Sequence, residues 1–133
     1  TMIVQPGTSV EVNGVKVQAV PAYNLDKTKN HPQKSVWLGY VIDVGGVRLY
    51  HTGDTERIPE MKGLACDIIM LPLGQTYTMN SVQEAADAAR DTTAAIAIPI
   101  HFGMYEGSEA DAQKFAALLA GTAVKVVRLE VRK

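Results

Sequence analysis

A Gly-Asp-Thr corner and a histidine placed just past a Pro-Ile pair are the residues of this chain best suited to chemistry. The first lies in Tyr50-His51-Thr52-Gly53-Asp54-Thr55 and the second in Pro99-Ile100-His101-Phe102-Gly103, each behind a β-branched, apolar run. An aspartate on such a corner, with Thr55 placed to hydrogen-bond its carboxylate, keeps an oxygen free to bind or bridge a cation. An imidazole leaving a strand end beside a glycine that permits close approach is suited to hold a divalent metal. Both have plainer readings. Asp after Gly is a common Asx-turn solution, and a lone histidine at a strand end is usually just a polar group. The chain has 3 histidines, His31, His51 and His101, a single cysteine, and neither a His-x-His nor a Cys-x-x-Cys cluster. Together these residues look like part of a metal site, not the whole of one.

The elements that must position these residues follow from the pattern. Runs at 10–12 and 15–20 flank Asn13-Gly14, a pair that accepts positive φ, so a β-hairpin is predicted, ending at Pro21. Residues 22–35 are polar and too many for a tight turn, which makes them a functional or mobile loop. The alternating run 36–44 enters Gly45-Gly46 and returns at 47–52 as a second hairpin. Residues 67–71 form a continuous apolar run bounded by Asp and Pro, as a buried central strand would, and Cys66 reads as part of that strand. Ser81-Val82-Gln83-Glu84 has capping-box spacing and opens a helix to about Asp91. Residues 94–98 are the next strand, Ser108 caps a helix through about Ala120 with Asp111 in its first turn, and 124–131 closes as a strand. The order is hairpins followed by β-α-β-α-β, an α/β layered fold with ligands expected at strand ends.

Composition narrows the function classes. With 133 residues, the chain suits a single domain, 1–133. A net charge of -1 gives no basic footprint to hold nucleic acid by bulk charge. One cysteine excludes an internal disulfide framework and fits a reducing compartment. The longest apolar runs are far short of a membrane span, and no basic segment followed by an apolar stretch opens the chain. A cytoplasmic chain without a membrane partner is the expectation.

Taken together, 50–55, 67–74, Tyr77-Thr78-Met79 with Glu84-Ala85-Ala86, and 98–103 resemble the metallo-β-lactamase-fold superfamily, specifically its small prokaryotic metal-dependent hydrolases. The resemblance runs from about Val15 to Gly103. It implies part of an αββα sandwich in which Asp54 bridges two metals and His101 binds one of them, with zinc or manganese as the ions. The family's opening His-x-His-x-Asp-His run is absent, so the resemblance is to the C-terminal half. Where relatives carry Pro-Ala-x-His, this chain has Pro21-Ala22-Tyr23-Asn24, offering Asn24 as a possible ligand. His31 either substitutes from the same loop or is a solvated loop histidine before Pro32. His51 reads as a hydrogen-bonding support rather than a ligand, and Tyr77 either positions substrate or packs. Two ligands fall short of the three a catalytic zinc commonly takes from protein. The implied function is metal-activated attack of water on an ester, lactone, amide or phosphodiester of a small-molecule substrate. It would operate once the missing N-terminal half, or a second copy of the chain, is joined. The alternative is a non-catalytic remnant that serves as a folded binding or assembly module.

Overall fold

The computed structural model describes residues 2–129. Its strands are β1 (Ser9–Val12), β2 (Val15–Pro21), β3 (Leu38–Val44), β4 (Val47–His51), β5 (Ile68–Pro72), β6 (Ile96–Ile100) and β7 (Lys125–Val126). The helices are α1 (Val82–Asp91), between β5 and β6, and α2 (Glu109–Leu119), between β6 and β7. All strands join one 7-stranded sheet in chain order, antiparallel from β1 to β4 and parallel from β4 to β7. Successive right-handed crossovers in one direction put α1 and α2 on the same face. The two helices pack on each other and on β5 and β7.

Both helices begin where the serines demand. Ser81 Oγ accepts the Glu84 amide at 3.0 Å and Ser108 Oγ accepts the Asp111 amide at 3.2 Å. The capping box is only half built, because the Glu84 carboxylate takes the amide of Asn80 instead of Ser81. Helix α1 buries a face of small residues, Ala85, Ala86, Ala88 and Ala89, which lets it lie close on Tyr50, Ile69 and Leu71. Phe115 and Leu119 of α2 complete this core. Truncating a buried Phe such as Phe115 to Ala costs about 3–5 kcal/mol.

Four sequence expectations shift. The run predicted from Val36 pairs only from Leu38, since Val36 stands in left-handed backbone (φ 55) capping a 3-10 turn at Gln33–Ser35. The strand predicted at 94–98 runs over Ile96–Ile100. Thr92 and Thr93 delay it: Thr92 Oγ1 accepts the Ala94 amide at 3.2 Å, and Thr93 Oγ1 donates to the Cys66 carbonyl at 2.9 Å. Cys66 therefore lies before β5, not within it, and burial pushes its thiol pKa up. The closing strand covers Lys125–Val126, while 130 and 131 of that expectation fall outside the described residues.

Register divides the sheet into two faces. Tyr50, Ile69 and Ala97 align beneath the helices and are fully buried. One residue out of phase, Ile42, Leu49, Ile68 and Ile96 align on the opposite face and stay partly exposed, as does Met70. Because two antiparallel pairings separate β2 from β4, those strands run the same way, as do β5 and β6. The C-terminal ends of β2, β4, β5 and β6 therefore meet at one edge, and loops 22–37, 52–67, 73–81 and 101–108 converge there.

Candidate metal centre

Asp54 sits where β4 has just ended. Gly53 turns the chain at φ 69, and a Cβ on it would meet the Leu38 carbonyl at 3.0 Å, so the corner requires glycine. The Asp54 side chain is 47% exposed, free to face a ligand. Thr55 does not support it, contrary to the sequence expectation. Its hydroxyl is buried, accepting the Tyr23 amide at 3.1 Å and lying 2.7 Å from the Tyr23 carbonyl. Thr55 thus fastens the corner to loop 22–37.

Glu56 completes that attachment and was not legible in the sequence. Its side chain is 0% exposed. It accepts the amides of Leu25, Asp26 and Lys27 at 2.7, 2.8 and 2.9 Å, with Lys27 Nζ at 3.5 Å. Burial alone would raise its pKa, but the three amides and the ammonium outweigh burial and hold the carboxyl below its ordinary value. Lys27 also reaches the Asn80 side chain at 2.7 Å, linking this loop to 73–81.

His31 is brought to the site by that loop. Of the two readings of His31 the solvated one fails: the side chain is 12% exposed, with Nε2 3.6 Å from Asp54 Oδ2. Its Nδ1 lies 2.9 Å from the Tyr77 carbonyl and 3.2 Å from Asn24 Nδ2; the two Asn24 hydrogens have the Lys27 and Tyr77 carbonyls as acceptors, at 3.3 and 2.7 Å, which leaves Nδ1 to donate to Tyr77 and Nε2 to present its lone pair. Trp37 packs edge-on against the imidazole at 5.0 Å between ring centroids. Asn24 is buried, its Nδ2 donating to the same Tyr77 carbonyl at 2.7 Å and its Oδ1 left without a protein partner.

His101 faces Asp54 from the other side, with Nε2 3.7 Å from Oδ1. Its backbone is left-handed (φ 55), and its Nδ1 lies 2.7 Å from Glu106 Oε1. Glu106, also missed from sequence, is buried to 1% at its side chain. Its other oxygen accepts the amides of Thr76 and Tyr77 at 2.9 and 2.8 Å. The Tyr77 peptide therefore touches both halves: its N–H meets the carboxylate behind His101, and its C=O meets His31. The Tyr77 ring itself is 46% exposed. His51 is exposed on the sheet face away from the helices, and its Nδ1 accepts the Gly53 amide at 3.1 Å, supporting the corner from beneath.

Two open clefts lie here, one lined by Asp54 and the other by His101. One of about 400 Å³ is lined by Ala22, His31, Trp37, Leu38, Gly53 and Asp54, and another of about 280 Å³ by His101, Phe102, Met104, Tyr105 and Glu106. Trp37, Met104 and Tyr105 are exposed, giving both clefts apolar walls.

Residues 1–102 match the family model described as "Beta-lactamase superfamily domain". The chain belongs to the metallo-β-lactamase superfamily. A UPF0173 metal-dependent hydrolase of Thermoplasma acidophilum is 33% identical over 137 residues, covering 100% of this chain and 60% of the relative. A solved structure from Parabacteroides distasonis superposes with a TM-score of 0.84 at 35% identity, over 98% of this chain and 58% of that one. The metallo hydrolase Igni18 of Ignicoccus hospitalis shares the fold, with a TM-score of 0.77 at 23% identity over 97% of this chain and 57% of that one. The chain thus spans about three fifths of the length of the relatives it matches.

For a member of this superfamily the donor set is divided. Each imidazole offers Nε2 to a different oxygen of Asp54, a layout suited to two cations sharing one carboxylate. Among the described residues no group of three or more His, Cys, Asp or Glu gathers as a single metal site.

Proposed function

We propose that this chain is the C-terminal part of a metal-dependent hydrolase in which His31, Asp54 and His101 hold a pair of divalent cations, zinc or manganese. One observation carries the reading. Both histidines spend Nδ1 on an acceptor behind them and aim Nε2 at Asp54, yet stand 3.6 and 3.7 Å from it, too far for hydrogen bonds. Lone pairs facing a carboxylate across such a gap suit cations placed between them. A divalent cation there activates water as a nucleophile near neutral pH and polarises a scissile carbonyl or phosphoryl group.

The protein's own contribution is orientation. Asp54 lies between the two histidines, the Tyr77 carbonyl and Glu106 fix the imidazoles, and Glu56 and Thr55 hold the corner against the loop that brings His31. The substrate class is a small ester, lactone, amide or phosphodiester. To such a pair His31 and His101 would each give one nitrogen and Asp54 its two oxygens, fewer than the three protein ligands of a usual catalytic zinc. The remaining ligands would come from an N-terminal portion of the kind the longer relatives have room for, seated on the open sheet face.

Calorimetry with Zn²⁺ or Mn²⁺ on the isolated chain should show weak binding, lost in Asp54→Ala and weakened in His31→Ala and in His101→Ala. Hydrolysis should appear only when the N-terminal portion of a longer relative is supplied in trans, and should then be lost in Asp54→Asn. A submicromolar site that survives the double change Asp54→Ala and His101→Ala would refute the assignment of the ligands. Turnover by the chain alone would refute the need for completion.

A further inference from the structure

Glu106 has no place in the metal-ligand set, yet it is the most deeply buried carboxylate touching a site residue. Its surroundings are built to receive it. A Cβ on Gly74 would lie 1.9 Å from the Glu106 carboxyl carbon and 2.0 Å from Oε1, so only glycine at 74 leaves room. Oε2 is taken by the Thr76 and Tyr77 amides, and Oε1 by His101 Nδ1 at 2.7 Å, with the Thr78 hydroxyl 3.5 Å away.

We propose that Glu106 is a positioning residue that selects the tautomer of His101. An ionised carboxylate can only accept, so a neutral imidazole facing it must carry its proton on Nδ1. The lone pair is then on Nε2, the nitrogen aimed at Asp54. A histidine side chain free in water favours the opposite form, with the proton on Nε2. In that form His101 would offer Asp54 a donor, not a metal-ligating lone pair. Glu106 therefore decides whether His101 can serve as a ligand, and Gly74 with the 76–77 amides decides where Glu106 sits. The left-handed backbone of His101 (φ 55) is a conformation side-chain-bearing residues rarely adopt, in keeping with a side chain held from outside its own segment.

Glu106→Gln makes the test sharp because it preserves shape. The glutamine has one acceptor oxygen and two claims on it. Turned toward Thr76 and Tyr77, that oxygen keeps two amides satisfied. Turned toward His101, it abandons both and sets an NH₂ against two N–H groups. The first arrangement wins, and the NH₂ then faces His101 Nδ1. A donor there requires a lone pair on Nδ1, so the proton moves to Nε2.

Histidine tautomers are read from long-range ¹H–¹⁵N spectra of the ¹⁵N-histidine-labelled, metal-free chain. The spectra should be taken on the alkaline plateau, where the ¹⁵N shifts of each ring no longer change with pH and the rings are neutral. Wild type should show His101 protonated on Nδ1. Glu106→Gln should show it protonated on Nε2, with His31 unchanged as the internal control. Gly74→Ala, which drives the carboxylate from its place, should also lose the Nδ1-protonated form. Titration with zinc alone should then find affinity reduced about 10- to 100-fold in Glu106→Gln. The inference rests on the metal-ligand reading only for this last consequence. Absence of zinc binding in wild type would count against that reading and leave the tautomer result standing. Wild-type His101 protonated on Nε2, or a folded Glu106→Gln that keeps the proton on Nδ1, would overturn the inference, and the wild-type spectrum alone decides if the variants do not fold.

Discussion

Replacing Glu56 by Gln changes one fully buried oxygen and should cost far more than a loop substitution usually does. In the native chain Oε2 accepts the Leu25 and Asp26 amides, while Oε1 accepts Lys27 N–H and faces Lys27 Nζ. Glutamine can keep its oxygen on the first pair, which leaves the Lys27 amide facing an NH₂. A buried amide without an acceptor costs about 1–3 kcal/mol, and turning two charge-assisted bonds into neutral ones costs roughly another 1 kcal/mol each. The neutral side chain avoids the desolvation of a carboxylate, which offsets part of this. The net destabilisation is about 3 kcal/mol. At ~2.1 cal/mol/K per residue, 133 residues unfold with about 0.28 kcal/mol/K, so the melting temperature should fall by about 10 °C. Thermal unfolding followed by circular dichroism measures this. Trp37, the sole tryptophan, packs against His31 on the same loop, so its fluorescence should change in the variant below the transition. A shift within about 2 °C of zero, with Trp37 emission unaltered, would refute the claim that Glu56 anchors the loop that carries His31.

Two further outcomes follow from the packing. The Ser108 hydroxyl donates to Asp111 Oδ2 at 2.7 Å, and this bond, working against partial burial, holds the Asp111 carboxyl below its ordinary 3.8. A depressed folded value stabilises above 3.8 and ceases to as pH falls through the folded pKa. The stability gap between wild type and Ser108→Ala, about 1 kcal/mol near neutrality, should therefore narrow in acid, and a gap constant down to about pH 2 would contradict this. On the open sheet face, each ~100 Å² of apolar surface covered contributes about 2.5 kcal/mol. Sedimentation across a wide dilution range should therefore show self-association of the isolated chain that reverses on dilution, whereas a strict monomer at every concentration would refute it.

What the sequence made legible was local. Ser81 and Ser108 announced both helix starts, Asn13-Gly14 and Gly45-Gly46 announced both hairpins, and the apolar run at 67–71 announced a strand with neighbours on both sides. The Asp54 corner and His101 stood out because their flanking residues repeat a family pattern. Glu56 and Glu106 did not, and His31 stood only as one of two open readings, for one physical reason. Each is defined by partners far along the chain: Glu56 by the amides of residues 25–27, Glu106 by those of 76 and 77, His31 by the carbonyl of Tyr77. A lone acid or histidine in a polar loop reads as solvated until the fold supplies those partners. Thr55 failed in the opposite direction. Its neighbour in sequence suggested a bond to Asp54, but the Tyr23 backbone competes better for the hydroxyl.

The short ligand set proposed for the site and the partly exposed apolar face lie at one edge of the sheet. Tyr40, His51 and Met70 align on the open face in the row next to the ends of β4 and β5, where the chain turns toward Asp54. A second sheet stacked on that face would lie about 10 Å away, near enough for loops at its own edge to reach the Asp54 carboxylate. Covering the sheet and completing the metal site would then be one event. By linkage, a metal that binds the completed site more tightly than the half site must strengthen the association by the same factor. On this argument the weak metal binding and the covering partner proposed for the isolated chain make one prediction: a partner that buries Ile42, Leu49, Ile68 and Ile96 should tighten metal binding by the factor by which metal tightens its own association.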